Sequence, residues 1–477
     1  MTGRPVNETS PRRSTTVVRP DEEQPLGEMG PRMRRGIGAW MAAPAFDFYA
    51  LIVVGGLLVG IGLFMVLSSS SIQDISRGGT GFGGFTSQLV FIGTGAVGLL
   101  VAAIIPPGVF RRLAPLLMLL GIALQALVLT PLGWEVGGNR NWLRLGSMMF
   151  QPSEPLKLAL ALWLGALLAT KRSLLTRPAH LLFPLAPGVG LAVGLVLLGH
   201  DLGTAMVMLM LVAGSLWVAG VPRRWFVAGA AIGVTGVLVL ALTSSNRLAR
   251  IDNWLHGTCE RDTCMQARQG LMGLAEGGWW GVGPGESRQK WGRLPAAQDD
   301  YIFAILGEEL GLVGTIGVVL LFTALAVVLF RMIAKVDDCF QQVTIAGVAT
   351  WLLGQAFINI MVVTGLLPVL GVPLPFISSG GTALISSMLA LGLMMSFARS
   401  EPGAQEAISA RIGQVRRSIT VLPAGRGESA GRSSRRSRRR AARAEKKKSG
   451  KKRVPSADRA PSARGAQPRR TRTKGRR

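Results

Sequence analysis

Long apolar blocks, separated by short polar or glycine-rich breaks, run through most of this chain. Leu51 to Leu67 and Ile316 to Phe330 are two such blocks, and neither carries a charged side chain. A helix crossing a hydrocarbon core takes about 20 apolar residues, and backbone polar groups in lipid must be satisfied within the segment itself. The pattern therefore predicts an all-α polytopic membrane protein. Ten transmembrane helices are expected, over residues 46–67, 86–105, 113–131, 155–170, 181–198, 202–220, 226–243, 302–330, 342–366 and 375–398. The eighth is long enough to tilt or to extend beyond the bilayer. Only Gly199-His200-Asp201 divides the fifth from the sixth.

Composition sharpens this picture. Of the 477 residues 49% are hydrophobic and 17% charged, against roughly 25% charged in an average soluble domain. The charge is segregated: residues 399–477 hold 26 of the 53 Lys and Arg but five acids, which is +21 of the net +27. A segment so basic and so poor in large apolar side chains is expected to be disordered. The predicted domains are a disordered tail over 1–45, a transmembrane domain over 46–398, and a disordered basic tail over 399–477. The first apolar block is too long for a signal-peptide core and no small-residue cleavage site follows it, so it is expected to be a membrane helix.

Loop charges set the expected orientation. With the N-terminus in the cytoplasm, inside loops carry Arg111, Arg112, Lys171, Arg172, Arg177, Arg223, Arg224, Arg331 and Lys335, while the short outside loops carry only Arg77, Arg140 and Arg144. An even span count returns the C-terminus to the cytoplasm. A large extracytoplasmic loop, residues 244–301, then lies between helices 7 and 8. It holds seven basic residues, seven acids and four Trp, a composition too aromatic for a plain linker, and loops of this length are commonly functional. Cys259 and Cys264 in this loop would face an oxidising space, where they form either a local disulfide or two free thiols. Cys339 is expected to be packing. The three His and three Cys have no zinc-type spacing.

Charged residues in a helical bundle are costly and mark candidate sites. Arg140 and Arg144 precede "FQPSEPLK", where Glu154 and Lys157 share a helix face and either anchor the helix end as an ion pair or meet a substrate. In "HDLGTA" Asp201 is either a helix N-cap or a chemical group, and His200 is expected to be structural. The segment "GGWWGVGPGESRQKWGRLPAAQDD", residues 277–300, lacks a nucleotide-loop pattern. Its Trp279, Trp280 and Trp291 suit a membrane interface, and Lys290 and Arg293 bring cations near Asp299 and Asp300. Glu308 and Glu309 follow within the eighth span, where structural support is the expected role. In "PLPFISSGGTALISS" Ser378 and Ser379 interrupt a span, which either binds a polar ligand or lets helices approach closely.

These motifs carry a resemblance. "FQPSE" at 150–154, "DLGT" at 201–204, "GWWGVGPGESRQKWGRLPAAQDDYIFAILGEELG" at 278–311 and "PLPFISSGGT" at 373–382 resemble, in order, those of the shape, elongation, division and sporulation proteins, the FtsW/RodA/SpoVE family. The resemblance covers roughly residues 46–398. It implies a ten-helix fold and a peptidoglycan glycosyltransferase that polymerises lipid II, with a class B penicillin-binding protein as partner. It maps the family's essential aspartate onto Asp300; Asp299 falls where the family often has Thr, and Gly199-His200 departs from the family's usual residues before "DLGT". The long basic tail resembles division-type members from actinobacteria, which implies contact with division proteins at the septum and, on charge, with anionic lipids; nucleic acid is not expected.

The expected chemistry follows. Asp300 is the general base for the attacking sugar hydroxyl, a role that contributes typically 10²- to 10⁴-fold. Arg140, Lys290, Arg250 and Lys157 are candidates to stabilise the pyrophosphate leaving group. A divalent cation, Mg or Mn, could do the same, and no other cofactor is expected. Glu154, Asp201, Ser378 and Ser379 complete the candidate substrate-binding set. The alternatives are an elongation-type polymerase and a lipid II flippase or transporter.

Overall fold

The computed structural model describes residues 43, 45–76, 83–146, 148–172, 178–242, 245–256, 262–291, 294 and 297–410. Most of both predicted tails, and with Cys259 the predicted disulfide, lie outside the described residues, as does Arg293; the side chain of Cys264 is not described either.

The chain is a polytopic helical membrane protein. Its elements are α1 (Phe46–Ser76), α2 (Gly83–Ile104), α3 (Pro107–Leu127), β1 (Gly133–Val136), β2 (Asn139–Leu145), β3 (Met148–Phe150), α4 (Ser153–Thr170), α5 (Pro178–Leu198), α6 (Leu202–Val218), α7 (Arg223–Leu242), α8 (Ser245–His256), α9 (Asp262–Gly277), α10 (Ile302–Lys335), α11 (Cys339–Val363) and α12 (Gly381–Arg399). Helices α1–α7 and α10–α12 stand where the ten spans are expected. Among the described residues, seven are long and apolar enough to cross a membrane: α1 to α4 and α10 to α12. The apolar part of α5, Phe183–Leu198, and α6 are shorter.

A small sheet adds to the all-α bundle that the sequence predicts. β1, β2 and β3 form an antiparallel meander, with Val136 opposite Asn139 and Leu145 opposite Met148. Gly137 and Gly138 both have positive φ, 59° and 83°, the two-residue turn that matches the twist of a hairpin. Arg140 donates its backbone N–H to the Gly199 carbonyl at 2.9 Å, so the hairpin lies on the α5–α6 junction. The predicted loop 244–301 holds two helices, α8 and α9. Ordered structure also continues past 399: residues 404–410 are helical, with Ala404 and Ile408 buried against Ala45.

Helices α4, α11 and α12 form the buried centre. Close approach comes from small residues, as membrane packing favours. A Cβ at Gly347 would lie 2.7 Å from Ser215 Oγ, and one at Gly392 2.4 Å from the Leu99 carbonyl oxygen. Leu100, Leu119, Val227, Ile232, Leu320 and Phe330 point outward, apolar surface that suits lipid.

The bundle has two distinct ends. One carries the sheet, α8, α9 and the 364–380 loop. The other carries Arg111, Arg112, Lys171, Arg172, Arg223, Arg224, Arg331, Lys335 and Arg399 at helix ends and turns.

Candidate functional site

At the sheet end, three segments converge: the turn 297–301 before α10, the loop 364–380 between α11 and α12, and helix α8. That loop contains Pro368, Pro373 and Pro375, which supply no N–H and block regular pairing. Side chains satisfy its backbone instead. Asn359 Nδ2 donates to the carbonyls of Asp300 and Val372, both at 2.7 Å. One helical turn away, Gln355 Nε2 donates to the Pro373 carbonyl at 2.8 Å. Ser378 Oγ donates to the Asp299 carbonyl at 2.7 Å and accepts from the Leu374 N–H at 2.8 Å. Ser379 Oγ donates to the Asp299 carboxylate, and its N–H to the Gln298 carbonyl at 3.0 Å. Ser378 and Ser379 thus fasten the aspartate turn to this loop.

Asp300 is half-buried in this crossing. Among the described residues no donor reaches its carboxylate, in contrast to Asp299. A Cβ built on Gly371, at φ 70°, would sit 3.5 Å from Asp300 Oδ2, so the carboxylate lies over bare backbone. Burial, then the negative charges of Asp299 and Asp201, push the Asp300 carboxyl up to about 7, against the opposing pull of Arg250. Burial also raises Asp299, partly offset by the Ser379 hydroxyl. Arg250, on α8, donates Nη1 to the Val369 carbonyl at 3.3 Å, and Trp254 Nε1 donates to the Gly365 carbonyl at 2.9 Å. α8 therefore leans on the same loop and brings a guanidinium charge toward Asp300.

The other predicted site residues each have at least one polar partner. Asp201 caps α6: Oδ1 accepts from the Thr204 N–H at 2.9 Å, and Oδ2 from Thr204 Oγ1 and Asn141 Nδ2, each at 2.8 Å, and from Gln151 Nε2 at 3.4 Å. His200 precedes it at φ 65°, a left-handed residue closing α5. Arg140 Nη2 donates to the Thr130 carbonyl at 2.5 Å. Lys157 and Glu154 form a buried ion pair at 2.7 Å. Lys157 also donates to Gln355 Oε1 at 2.8 Å and lies 5.1 Å from the Trp351 ring centre. Lys290 is buried against Glu309 at 2.9 Å, with Ser68 Oγ at 3.1 Å and the Gly285 carbonyl at 2.6 Å.

Glu308 and Glu309 anchor a backbone interlock. Glu308 accepts from Ser287 Oγ at 2.5 Å and the Arg288 N–H at 2.6 Å. Around them α10 breaks at Gly311, φ 66° and ψ −164°. There the N–H groups of Val282, Gly283, Leu312 and Val313 cross-bond to the carbonyls of Glu308, Glu309, Gly278 and Trp279. The "GWWGVG" and "EELG" segments are one structural unit, and Trp279, Trp280 and Trp291 project from it into the surroundings, at 70%, 82% and 68% exposure.

The donor set does not make a cage for a divalent cation. The Asp201 and Asp299 carboxylates are taken by side-chain donors, and among the described residues no group of three His, Cys, Asp or Glu side chains is placed to hold a metal ion. Sequence reasoning missed Asn359, Gln355 and Asn141. The first two had a legible signal: two buried amides four residues apart, on one face of an otherwise apolar span.

Comparisons place this architecture among known proteins. Residues 49–402 match the FtsW/RodA/SpoVE cell cycle protein family. The probable peptidoglycan glycosyltransferase FtsW of Mycobacterium tuberculosis is 37% identical over 393 residues, 82% of this chain and 75% of that one. Stage V sporulation protein E of Bacillus subtilis is 34% identical over 351 residues, 73% of this chain and 96% of that one. A solved chain of a peptidoglycan synthase complex that coordinates polymerization and crosslinking superposes with a TM-score of 0.61 at 27% identity, over 74% of this chain and 97% of that one. The rod shape determining protein RodA of Thermus thermophilus gives 0.55 at 25%, over 74% and 97%. With the aspartate turn, the proline-rich loop and the interlocked glutamates all falling inside the matched span, the chain belongs to the FtsW/RodA/SpoVE family.

Proposed function

We propose that this chain is a peptidoglycan glycosyltransferase that polymerises lipid II, with Asp300 as the general base. The relatives named as glycosyltransferases support the activity. One observation carries the residue: of the acids buried or half-buried at the sheet end, Asp300 has the carboxylate that no donor among the described residues occupies. Asp201, Asp299, Glu154, Glu308 and Glu309 are all engaged.

In this reading one lipid II lies with its sugar–pyrophosphate bond beside Asp300, and a second presents a sugar hydroxyl. The Asp300 carboxylate takes the hydroxyl proton, the oxygen forms the new glycosidic bond, and the undecaprenyl pyrophosphate leaves with the bonding electron pair. A base of pKa about 7 works near its optimum at neutral pH, where both the ionised fraction and the basicity are substantial. Arg250 is the guanidinium nearest in influence and is suited to the charge that builds on the pyrophosphate. Lys157 and Lys290 are held by their own carboxylates, and Lys157 reaches the loop through Gln355. A Mg or Mn ion would be held by the pyrophosphate's own oxygens, where it would offset their charge, and no step above depends on it.

The basic end of the bundle supports a cytoplasmic placement of that end and of both termini, which puts Asp300 on the outer face of the plasma membrane. The polar constellation sits at one end and not at mid-bundle, which supports an enzyme over a transporter. The likeness to a synthase complex supports a class B penicillin-binding transpeptidase as partner. The mycobacterial relative and the basic tail support division at the septum, with the tail meeting division proteins or anionic lipids.

The test uses the purified chain with its transpeptidase partner, in detergent, with lipid II. Wild type yields glycan polymer, whereas Asp300→Asn loses at least about 100-fold while eluting as a folded protein. A folded Asp300→Asn protein that polymerises at the wild-type rate overturns the assignment.

A further inference from the structure

Asp300 sits on a turn with no regular secondary structure of its own, yet a base must be held within a fraction of an ångström of its target. The turn's neighbour, the 364–373 stretch, is equally irregular. Ser378 and Ser379 hold the turn from the far end of the loop; what joins it to the 364–373 stretch is Asn359, on α11, 1% exposed. Its single amide nitrogen donates one hydrogen to the Asp300 carbonyl and the other to the Val372 carbonyl, both at 2.7 Å. A primary amide is the smallest neutral side-chain group that offers two hydrogens from one atom. A serine or threonine hydroxyl has one, and an aspartate carboxylate has none. Gln355, four residues earlier on the same helix face, ties the next carbonyl, Pro373, at 2.8 Å. It is itself fixed by Lys157 and by Trp351 Nε1 at 2.8 and 2.9 Å. The result is a two-rung ladder of amides on a rigid helix that grips the loop, while only the upper rung grips the loop and the aspartate turn together.

We propose that Asn359 is a positioning residue for Asp300: by bridging the two carbonyls it holds the Asp300 carboxylate over the bare backbone of Gly371. The inference rests on the reading of Asp300 as the base. The placement over Gly371 also keeps the carboxylate half-buried, so the same bridge sustains its raised proton affinity. When the bridge is cut, the turn relaxes toward water and the carboxyl returns toward the ordinary range.

The experiment compares Asn359→Leu, which keeps the heavy-atom count and branching and removes both hydrogens, with Asn359→Thr, which retains one, in the full chain with its transpeptidase partner. Polymerisation of lipid II is followed over substrate concentration and from pH 5 to 9. Asn359→Leu is expected to lower kcat at least tenfold with KM within twofold, and to move the acid limb of the pH–rate profile down by half a unit or more. Asn359→Thr is expected to fall between it and wild type in both readouts. Gln355→Leu, which cuts the lower rung, serves as a reference for loop damage alone: it is expected to leave the acid limb where it is in wild type. If Asn359→Leu does not fold, Asn359→Thr decides on the same two measurements. A folded variant with unchanged kcat, or with reduced kcat and an unmoved acid limb, overturns the proposal. Asp300→Asn run alongside separates the two ideas: if it is inactive while Asn359→Leu behaves as wild type, only the bridge fails; if it is active, the base fails first.

Discussion

The two ends of this bundle treat buried carboxylates in different ways. At the basic end, Asp47 is 1% exposed and meets Arg331 at 2.8 Å together with Lys335, which continues to Glu401 at 3.5 Å. Cations neutralise the charge directly, and Lys335 stays in reach of water. At the sheet end, buried acids are consumed mainly as scaffold: Asp201 ties a helix start to the hairpin, Glu308 ties α10 to the loop before it, and Glu309 and Glu154 each hold a lysine. Asp300 stands apart because its backbone, and not its carboxylate, takes the fastening bonds. A carboxylate that accepts side-chain or backbone donors is structure here; one fastened by its backbone, with no donor among the described residues on its oxygens, can do chemistry.

The comparison can be broken most forcefully at the scaffold. Lys290→Met leaves Glu309 buried without its cation, and removing one partner of a buried pair costs about 3–5 kcal/mol. Folded yield and thermal denaturation should fall sharply, and pairing it with Glu309→Leu should restore most of the loss. A single variant as stable as wild type means the pair is not the clamp described. Next in size is Gly311→Ala. A Cβ there would meet Gly281 N at 2.4 Å with φ at 66°. That positive-φ extended backbone, nearly exclusive to glycine, alone costs about 1–3 kcal/mol, and the clash adds to it. Gly317, with open space around its Cβ position, is the control, and its alanine variant should be neutral or slightly stabilising.

A smaller effect sharpens the contrast through pH. The Asp300 carboxyl is raised from 3.8 to about 7, so between those values the folded protein binds more protons than the unfolded chain. The contribution to stability is therefore complete below about pH 4 and is lost as pH rises through about 7. Asp300→Asn, which has no charge to bury, should be more stable than wild type at pH 8, by on the order of 1 kcal/mol once partial solvent access is allowed for. That advantage should vanish near pH 4; a pH-independent difference in melting temperature would contradict the raised affinity. Smallest of all, Lys335→Ala at the basic end should cost less than about 1 kcal/mol, because the lysine is 36% exposed and Arg331 still faces Asp47. A cost equal to that of Lys290→Met would erase the distinction between the ends.

The positions of the long helices were legible from the chain alone, because membrane insertion is written in local transfer free energy: Leu51–Leu67 and Ile316–Phe330 need no distant partner to declare themselves. So was the family motif that contains Asp300. What the sequence could not decide was which polar atoms would be used up. Whether Asp201 caps or reacts depends on Asn141, 60 residues away, and whether Lys290 faces a substrate or a carboxylate depends on Glu309 and on Ser68, 222 residues away. The three-stranded sheet escaped for a related reason: its strands are short, and its place is set by the Arg140–Gly199 bond to a helix junction. Asn359 reads in sequence as one of two amides on a face of an apolar helix, and only the fold shows the two carbonyls it joins. Span location is a sum over neighbours in the chain, whereas the state of a buried polar atom is set by whichever distant group the packing brings within hydrogen-bond range.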